Sequence, residues 1–253
     1  MRCAAGECTK VLSTALVLTL VSGLPSSAAP SFLARDALWS VVRTCDSAKA
    51  SVGLSLPCLD IRESPDGYRV ALLRPPLPRT HLLVVPLTRT PGIESPELRG
   101  RAGGAYLSMA WDARNLARED LGPIPWGNAG MAINSAGNRS QDQLHVHVDC
   151  LTPQAKASLT RTGGSLGKEW RVLWRGVWAR LVRGEDLRAA DPLGAMIEQL
   201  PLGPPGRSGL NFGVAGIEWS RGHRGYVLLA SKTMSFERLL DSGCAVLQPG
   251  RRS

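Results

Sequence analysis

The chain has 253 residues, and 43% of them are hydrophobic, enough for one large core or two small ones. Thirty basic against 21 acidic residues leave a net charge of +9, carried mostly by single scattered arginines. No basic run, zinc finger or RNP-like aromatic motif accompanies that charge, so the sequence argues against a nucleic-acid binder. A solvated basic surface is the expected reading, and a weak attraction to anionic lipid headgroups is its functional alternative.

The first element is a leader. Arg2 and Lys10 flank a short start, residues 11–24 are apolar apart from Ser13, Thr14, Thr19, Ser22 and Gly23, and Ser26, Ser27, Ala28 and Ala29 follow. This fits a secretory signal over residues 1–28, cut after Ala28 because Pro30 disfavours a later cut, or an uncleaved anchor. The apolar run is short for a span, which needs about 20 residues. Either way the body of the protein is expected outside the cytoplasm. Cys3 and Cys8 lie in the leader, which leaves Cys45, Cys58, Cys150 and Cys244. An even set in an exported chain implies two disulfides, with three connectivities open. The local pair Cys45–Cys58, together with Cys150–Cys244, is the expected one.

Residues 34–44 carry Leu38, Val41 and Val42 at helical spacing. Residues 67–74 and 81–86 read as strands, joined by the Pro-rich link 74–78. A single helix is expected over 95–120, with Leu107, Ala110, Trp111 and Leu116 on one face. Residues 131–135 and 144–151 read as strands, 153–160 as a short helix, 176–182 as a strand and 192–200 as a helix stopped by Pro201. Two further strands, 211–219 and 225–231, flank a turn holding Arg221, Gly222 and His223. The sum is an α+β chain with a mostly antiparallel sheet, a single domain over 35–250 and no internal repeat.

The most informative stretch is 132–150. Side chains alternate across a strand, so Gln143, His145, His147 and Asp149 share one face, and Leu144, Val146, Val148 and Cys150 share the other. A strand polar on one side and apolar on the other is the wall of a cleft. The segment 131–135 and the loop 136–142 would bring amide and hydroxyl donors to it. A lone His-x-His carries little by itself, and Asn134 could simply end a strand or Ser140 cap a turn. Their order, Asn, loop, Ser, His-x-His, carries more.

That order resembles the histidine-triad (HIT) superfamily of nucleotide hydrolases and transferases: Asn134, Gly137, Ser140, His145 and His147 match its pattern. Gln143 stands where the first histidine of the triad would be, and Thr80 to Pro86 resembles the substrate-pocket strand. Within the superfamily the chain is most similar to bacterial CDP-diacylglycerol pyrophosphatases. The likeness rests on residues 89–96, 110–114, 139–147 and 226–230, on Cys150 and on a cysteine near the C-terminus. It implies a HIT-like fold and hydrolysis of CDP-diacylglycerol to CMP and phosphatidate in phospholipid metabolism.

The resemblance makes His145 the nucleophile, through a phospho-histidine intermediate, and His147 its neighbour on a phosphate or bridging oxygen. Asn134, Ser140, Gln141 and Gln143 would give neutral hydrogen bonds to the phosphates, and Arg89 and Arg139 would hold the second phosphate. Gln143 cannot move a proton, but phosphatidate leaves without strong acid assistance. No obligatory cofactor and no metal site are expected. The expected partners are the lipid-linked nucleotide and a membrane surface, with no nucleic acid, and the expected place is the inner membrane or periplasm of a bacterial envelope. Three other readings stay open. One is a different nucleotidyl hydrolase or transferase acting on soluble substrates; another is a metal-binding hydrolase or binder that uses His145, His147 and Asp149; the last is a non-enzymatic envelope protein on the same fold.

Overall fold

A computed structural model of the chain describes residues 35–75, 81–116, 122–174, 176–200, 203, 206–219 and 222–248. The leader, most of the Pro-rich link and Arg221 lie outside them. Helix α1, Ala37–Val52, runs about two turns beyond its expected end and stops at Gly53, whose φ of 76° closes it in the left-handed region. Strands β1 (Asp60–Glu63), β2 (Arg69–Leu73) and β3 (Leu82–Pro86) follow. The helix expected over 95–120 is instead a 3₁₀ turn at Pro96–Leu98, helix α2 at Arg101–Ala113 and a second 3₁₀ turn at Arg114–Leu116. Gly100, at φ 70°, breaks the helix between the first two.

Strands β4 (Ala129–Ile133) and β5 (Val146–Leu151) lie close to their expected places, and α3 is Pro153–Gly163. The strand expected at 176–182 is β7 (Val177–Arg183), and it forms a hairpin with β6 (Arg171–Trp174), which the sequence reading did not separate. Helix α4 (Pro192–Gln199) and strands β8 (Asn211–Trp219), β9 (His223–Ser231) and β10 (Leu240–Asp241) complete the fold. The sheet order is β1-β2-β3-β5-β4-β8-β9-β7-β6, with every pairing antiparallel. Strand β10 adds to the far end of β5, at Cys150 and Leu151, beyond the reach of β3. The chain is thus α+β and mostly antiparallel. Among the described residues no helix is long and apolar enough to cross a membrane.

The two faces of this sheet differ. On one, Val146, Val148 and Cys150 join Leu82, Val84, Met131, Phe212, Val214 and Leu228 in a continuous core roofed by Leu107, Ala110 and Trp111 of α2. On the other, the apolar surface is split. Ala71 and Val85 pack under Val42 and Cys45 of α1, and Ala132, Ala215, Val227 and Leu229 pack under α3 and Phe236. Strand β5 runs between these two patches, because β3 and β4 flank it. Its polar side chains on this face occupy the gap. Both expected disulfides are present, Cys45–Cys58 and Cys150–Cys244.

Candidate active site

His145 precedes β5 and is buried. Its Nδ1 lies 2.7 Å from the carbonyl oxygen of Gln143. A carbonyl only accepts, so Nδ1 carries the proton and Nε2 is left with its lone pair. Burial pushes the His145 pKa below the usual histidine value; the Gln143 carbonyl and Glu237 oppose that, and Arg139 and His81 reinforce it. The ring is therefore neutral and nucleophilic at Nε2.

His147 stands beside it, the ring centroids 5.0 Å apart. Its pKa is driven well below the ordinary range, first by burial and then by the charges His145 and His81 would carry. Nδ1 of His147 meets Nε2 of His81 in a short contact. With Nδ1 accepting from His81, the single N–H of neutral His147 sits at Nε2. That Nε2 is buried and lies 3.1 Å from Oε1 of Glu237, without the alignment of a hydrogen bond. On the other side, Nδ1 of His81 is 3.6 Å from Oδ2 of Asp149. Asp149 is fully buried, and burial raises its pKa. Residues Asp149, His81, His147 and Glu237 form one polar chain across β5, β3 and the 3₁₀ turn Phe236–Leu239.

Glu237 continues that chain. Its Oε1 accepts from Nδ2 of Asn134, whose Oδ1 accepts from Ser235 Oγ at 2.8 Å. The carboxylate thus sits between the Asn134 amide and His147 Nε2. His81, His147 and Glu237, with Pro75, Leu83, Leu240 and Ser242, line a cleft of about 340 Å³. The sequence reading passed over Glu237: it follows no motif, and its turn reaches the site through the pairing of β10 with β5.

The remaining expected residues take other partners. Gln143 is fully buried; its Nε2 donates to the carbonyls of Pro86 and Thr88, both at 2.9 Å, and its Oε1 accepts from the Thr90 N–H at 3.2 Å. It clamps the turn after β3, with both polar side-chain atoms bonded to that backbone. Arg139 is buried and grips Glu94 with two bonds of 2.8 and 2.7 Å, with a third of 3.2 Å to Asp142. Gly92 makes room for that guanidinium, because a Cβ there would lie 2.2 Å from Arg139 Nη1. Arg89 donates to Asp36 at 2.5 Å and lies over the Trp39 ring. Ser140 is exposed, and Gln141 Oε1 accepts from the Leu38 N–H at 2.8 Å.

Asn134, Arg139, Gln143 and His145 line one tight hollow with Gly92, and His147 borders the cleft beside it; Arg89, Ser140 and Gln141 line neither. The loop before His145 is sewn to α1. Asp142 accepts from Arg35 at 2.6 and 2.7 Å, and that pairing, helped by Arg139 against a cost of burial, lowers its pKa to about 2. Among the described residues, the acidic, histidine and cysteine groups clustered closely enough for a metal are Asp149, Cys150 and Cys244. Both cysteines are spent on a disulfide.

A neutral imidazole with a free Nε2, beside a second imidazole and an amide, has the chemistry to attack an electrophile such as phosphorus. Comparison with known proteins gives that site a family. Residues 33–248 match the family model described as CDP-diacylglycerol pyrophosphatase, and the chain belongs to that family. It is 30% identical to the CDP-diacylglycerol pyrophosphatase of Yersinia pestis over 226 residues, which cover 84% of this chain and 85% of that protein. It is 35% identical over 141 residues to the CDP-diacylglycerol pyrophosphatase of Mycobacterium bovis (strain BCG / Pasteur 1173P2), and 33% identical over 146 residues to the probable one of Mycobacterium leprae. The chain spans about half the length of these mycobacterial proteins, 53% of each.

Proposed function

We propose that the protein hydrolyses the pyrophosphate bond of CDP-diacylglycerol in two displacements at His145, on a HIT-like fold spanning residues 35–250. The observation that carries the mechanism is the 2.7 Å contact from His145 Nδ1 to the Gln143 carbonyl, which fixes the tautomer and frees Nε2. In the first step Nε2 attacks the phosphorus that bears cytidine. The bond from that phosphorus to the bridging oxygen breaks, and phosphatidate leaves with the electron pair. In the second step water attacks the same phosphorus, the P–N bond returns its electrons to the imidazole, and CMP departs.

Phosphatidate is a phosphate monoester and a good leaving group, so a buried glutamine can stand in the place of a third histidine. The N–H at His147 Nε2 and the Asn134 amide are the donors to the oxygens that gather charge. The Glu237 carboxylate now fills the seat between them and yields it to the substrate. Arg139 lies near enough to His145 to act on the second phosphate, on exchanging Glu94 for it. No obligatory cofactor enters this scheme. Two disulfides among the described residues support an exported protein, with residues 1–28 as signal or anchor and the catalytic body in the periplasm of a bacterial envelope.

The test is to quench turnover of CDP-diacylglycerol labelled at the phosphorus bearing cytidine and to map the label. Label on the peptide holding His145, lost in His145→Ala, is expected. Turnover with no protein-bound label at any quench time would remove the covalent intermediate.

A further inference from the structure

Six large hydrophobic side chains are strongly exposed among the described residues, and four of them, Val52, Leu54, Leu56 and Leu59, fall within eight positions. Their exposures are 67, 56, 63 and 46%. Such clustering on a polar protein marks a surface with an occupant. The stretch is held as a firm projection. Gly53 ends α1 in the left-handed region, the Cys45–Cys58 disulfide pins the base, and the Leu59 N–H donates to the Leu72 carbonyl at 2.8 Å.

The sheet carries this patch to the site. Asp60 pairs with Leu72, so Leu59 lies abreast of Leu73; Leu73 pairs with Leu83, and Leu83 with His147. Cross-strand partners share a face, so Leu59, Leu73, Leu83 and His147 make one row, about 14 Å long at the usual strand spacing. Leu83 and Pro75 also line the cleft that holds His147 and Glu237. The row is apolar until it meets the imidazole. Lys49, one turn before Val52, is exposed and makes no ion pair among the described residues. The neighbouring acids Asp46 and Asp60 are paired with Arg69 and Arg62.

We propose that residues 52–59 dock into the interfacial region of an anionic phospholipid bilayer, and that the row Leu59, Leu73 and Leu83 receives the acylglycerol end of the substrate. The inference rests on the reading of the substrate as a lipid-linked nucleotide. It adds an orientation: the lipid enters from the β1–β2–β3 side, and the nucleotide lies toward Asn134 and Arg139. Apolar side chains entering the interface beside one lysine have the chemistry of such a contact.

Two measurements on the full chain test it. Hydrogen exchange, with and without vesicles of phosphatidylcholine and phosphatidylglycerol, is expected to slow at 52–59 and to stay unchanged at the exposed hairpin residue Val172. Leu54→Ser/Leu56→Ser is expected to lower kcat/KM on CDP-diacylglycerol in vesicles by at least about tenfold. Its turnover of a water-soluble CDP-glycerol should equal that of the parent. Unchanged exchange at 52–59 overturns the docking surface, as does equal loss on both substrates. Protection that rises with protein concentration in the absence of vesicles would assign the patch to a second copy instead, and also overturns it. A parent chain inactive on both substrates would sink the pyrophosphatase reading while leaving the exchange result to decide the docking.

Discussion

The two faces of one sheet are built to different ends. Under α2 the apolar side chains of β3, β5, β4 and β8 close into an unbroken core. On the opposite face α1 and α3 each cover one patch, and β5 crosses the uncovered middle with buried imidazoles and a buried carboxyl. Burying such groups opposes folding unless they are paired. The pairs found there are His81 with His147 and Glu237 with Asn134, the groups to which the proposed mechanism assigns its chemistry. From 144 to 150 the even-numbered residues therefore face the core, and the odd-numbered ones carry the polar groups of the cleft.

The sharpest way to break this contrast is to remove the nucleophile. His145→Ala should lower turnover about a thousandfold or more, since loss of a nucleophile removes the covalent route outright. Its unfolding midpoint should move little, because the continuous core lies on the other face. Near-normal turnover would end the covalent mechanism, and a collapse of stability would show that the two faces are not separable.

Next in size is the cross-link that joins them. Cys150 belongs to the core face, yet its disulfide to Cys244 holds β10 and the turn bearing Glu237 against the active face. It closes a separation of 94 residues, worth about 4–5 kcal/mol in the chain-entropy model. Cys150→Ser/Cys244→Ser should lose stability of that order in denaturant titration and should also lose activity at temperatures where it stays folded. A variant with full activity would show that the Glu237 turn needs no anchor.

Gln143 gives a smaller and more discriminating effect. Its side chain satisfies Pro86, Thr88 and Thr90, so Gln143→Ala should cost about 1–3 kcal/mol of stability by leaving buried backbone groups unpaired. Activity per folded molecule should change far less than in His145→Ala. A large fall in kcat with no loss of stability would return Gln143 to direct contact with substrate.

These residues also show what the sequence made legible. The alternation from Leu144 to Cys150 was enough to sort core from cleft, and the even set of four cysteines after residue 28 was enough to expect two bridges. Strand and helix positions survive where period and breakers agree, as at β8 and α4. The expected long helix failed because a glycine with positive φ outweighed the apolar spacing around it. The site was half visible. Type and spacing exposed His145, His147 and Asn134, but sequence cannot tell whether a polar side chain turns to a ligand or to a neighbour. Arg89, Gln141 and Gln143 turn to neighbours. Glu237 and His81 come together only through strand pairings distant in the chain.

The mildest expected effect is on pH dependence, and its sign follows from burial. His145 is held below the ordinary value of 6.5 chiefly by desolvation, with Arg139 and His81 adding to it and the Gln143 carbonyl and Glu237 opposing. Protonation at Nε2 destroys the nucleophile, so activity is present above the folded pKa and is lost as pH falls through it. The acid limb of kcat/KM should therefore have its midpoint below 6.5, with more than half of the full activity retained at 6.5 itself. Stability follows the same direction. His145 and His147 bind protons more readily unfolded than folded, so stability is greatest above the ordinary histidine range and declines as pH falls through it toward the lowered folded values. Circular dichroism in the same buffers separates loss of fold from loss of nucleophile. A limb at or above 6.5 on an intact fold would mean that His145 is solvated or paired with a carboxylate when it reacts. Glu237 is the carboxylate nearest the histidine pair, and a limb that moved to lower pH in Glu237→Gln would identify it as that partner.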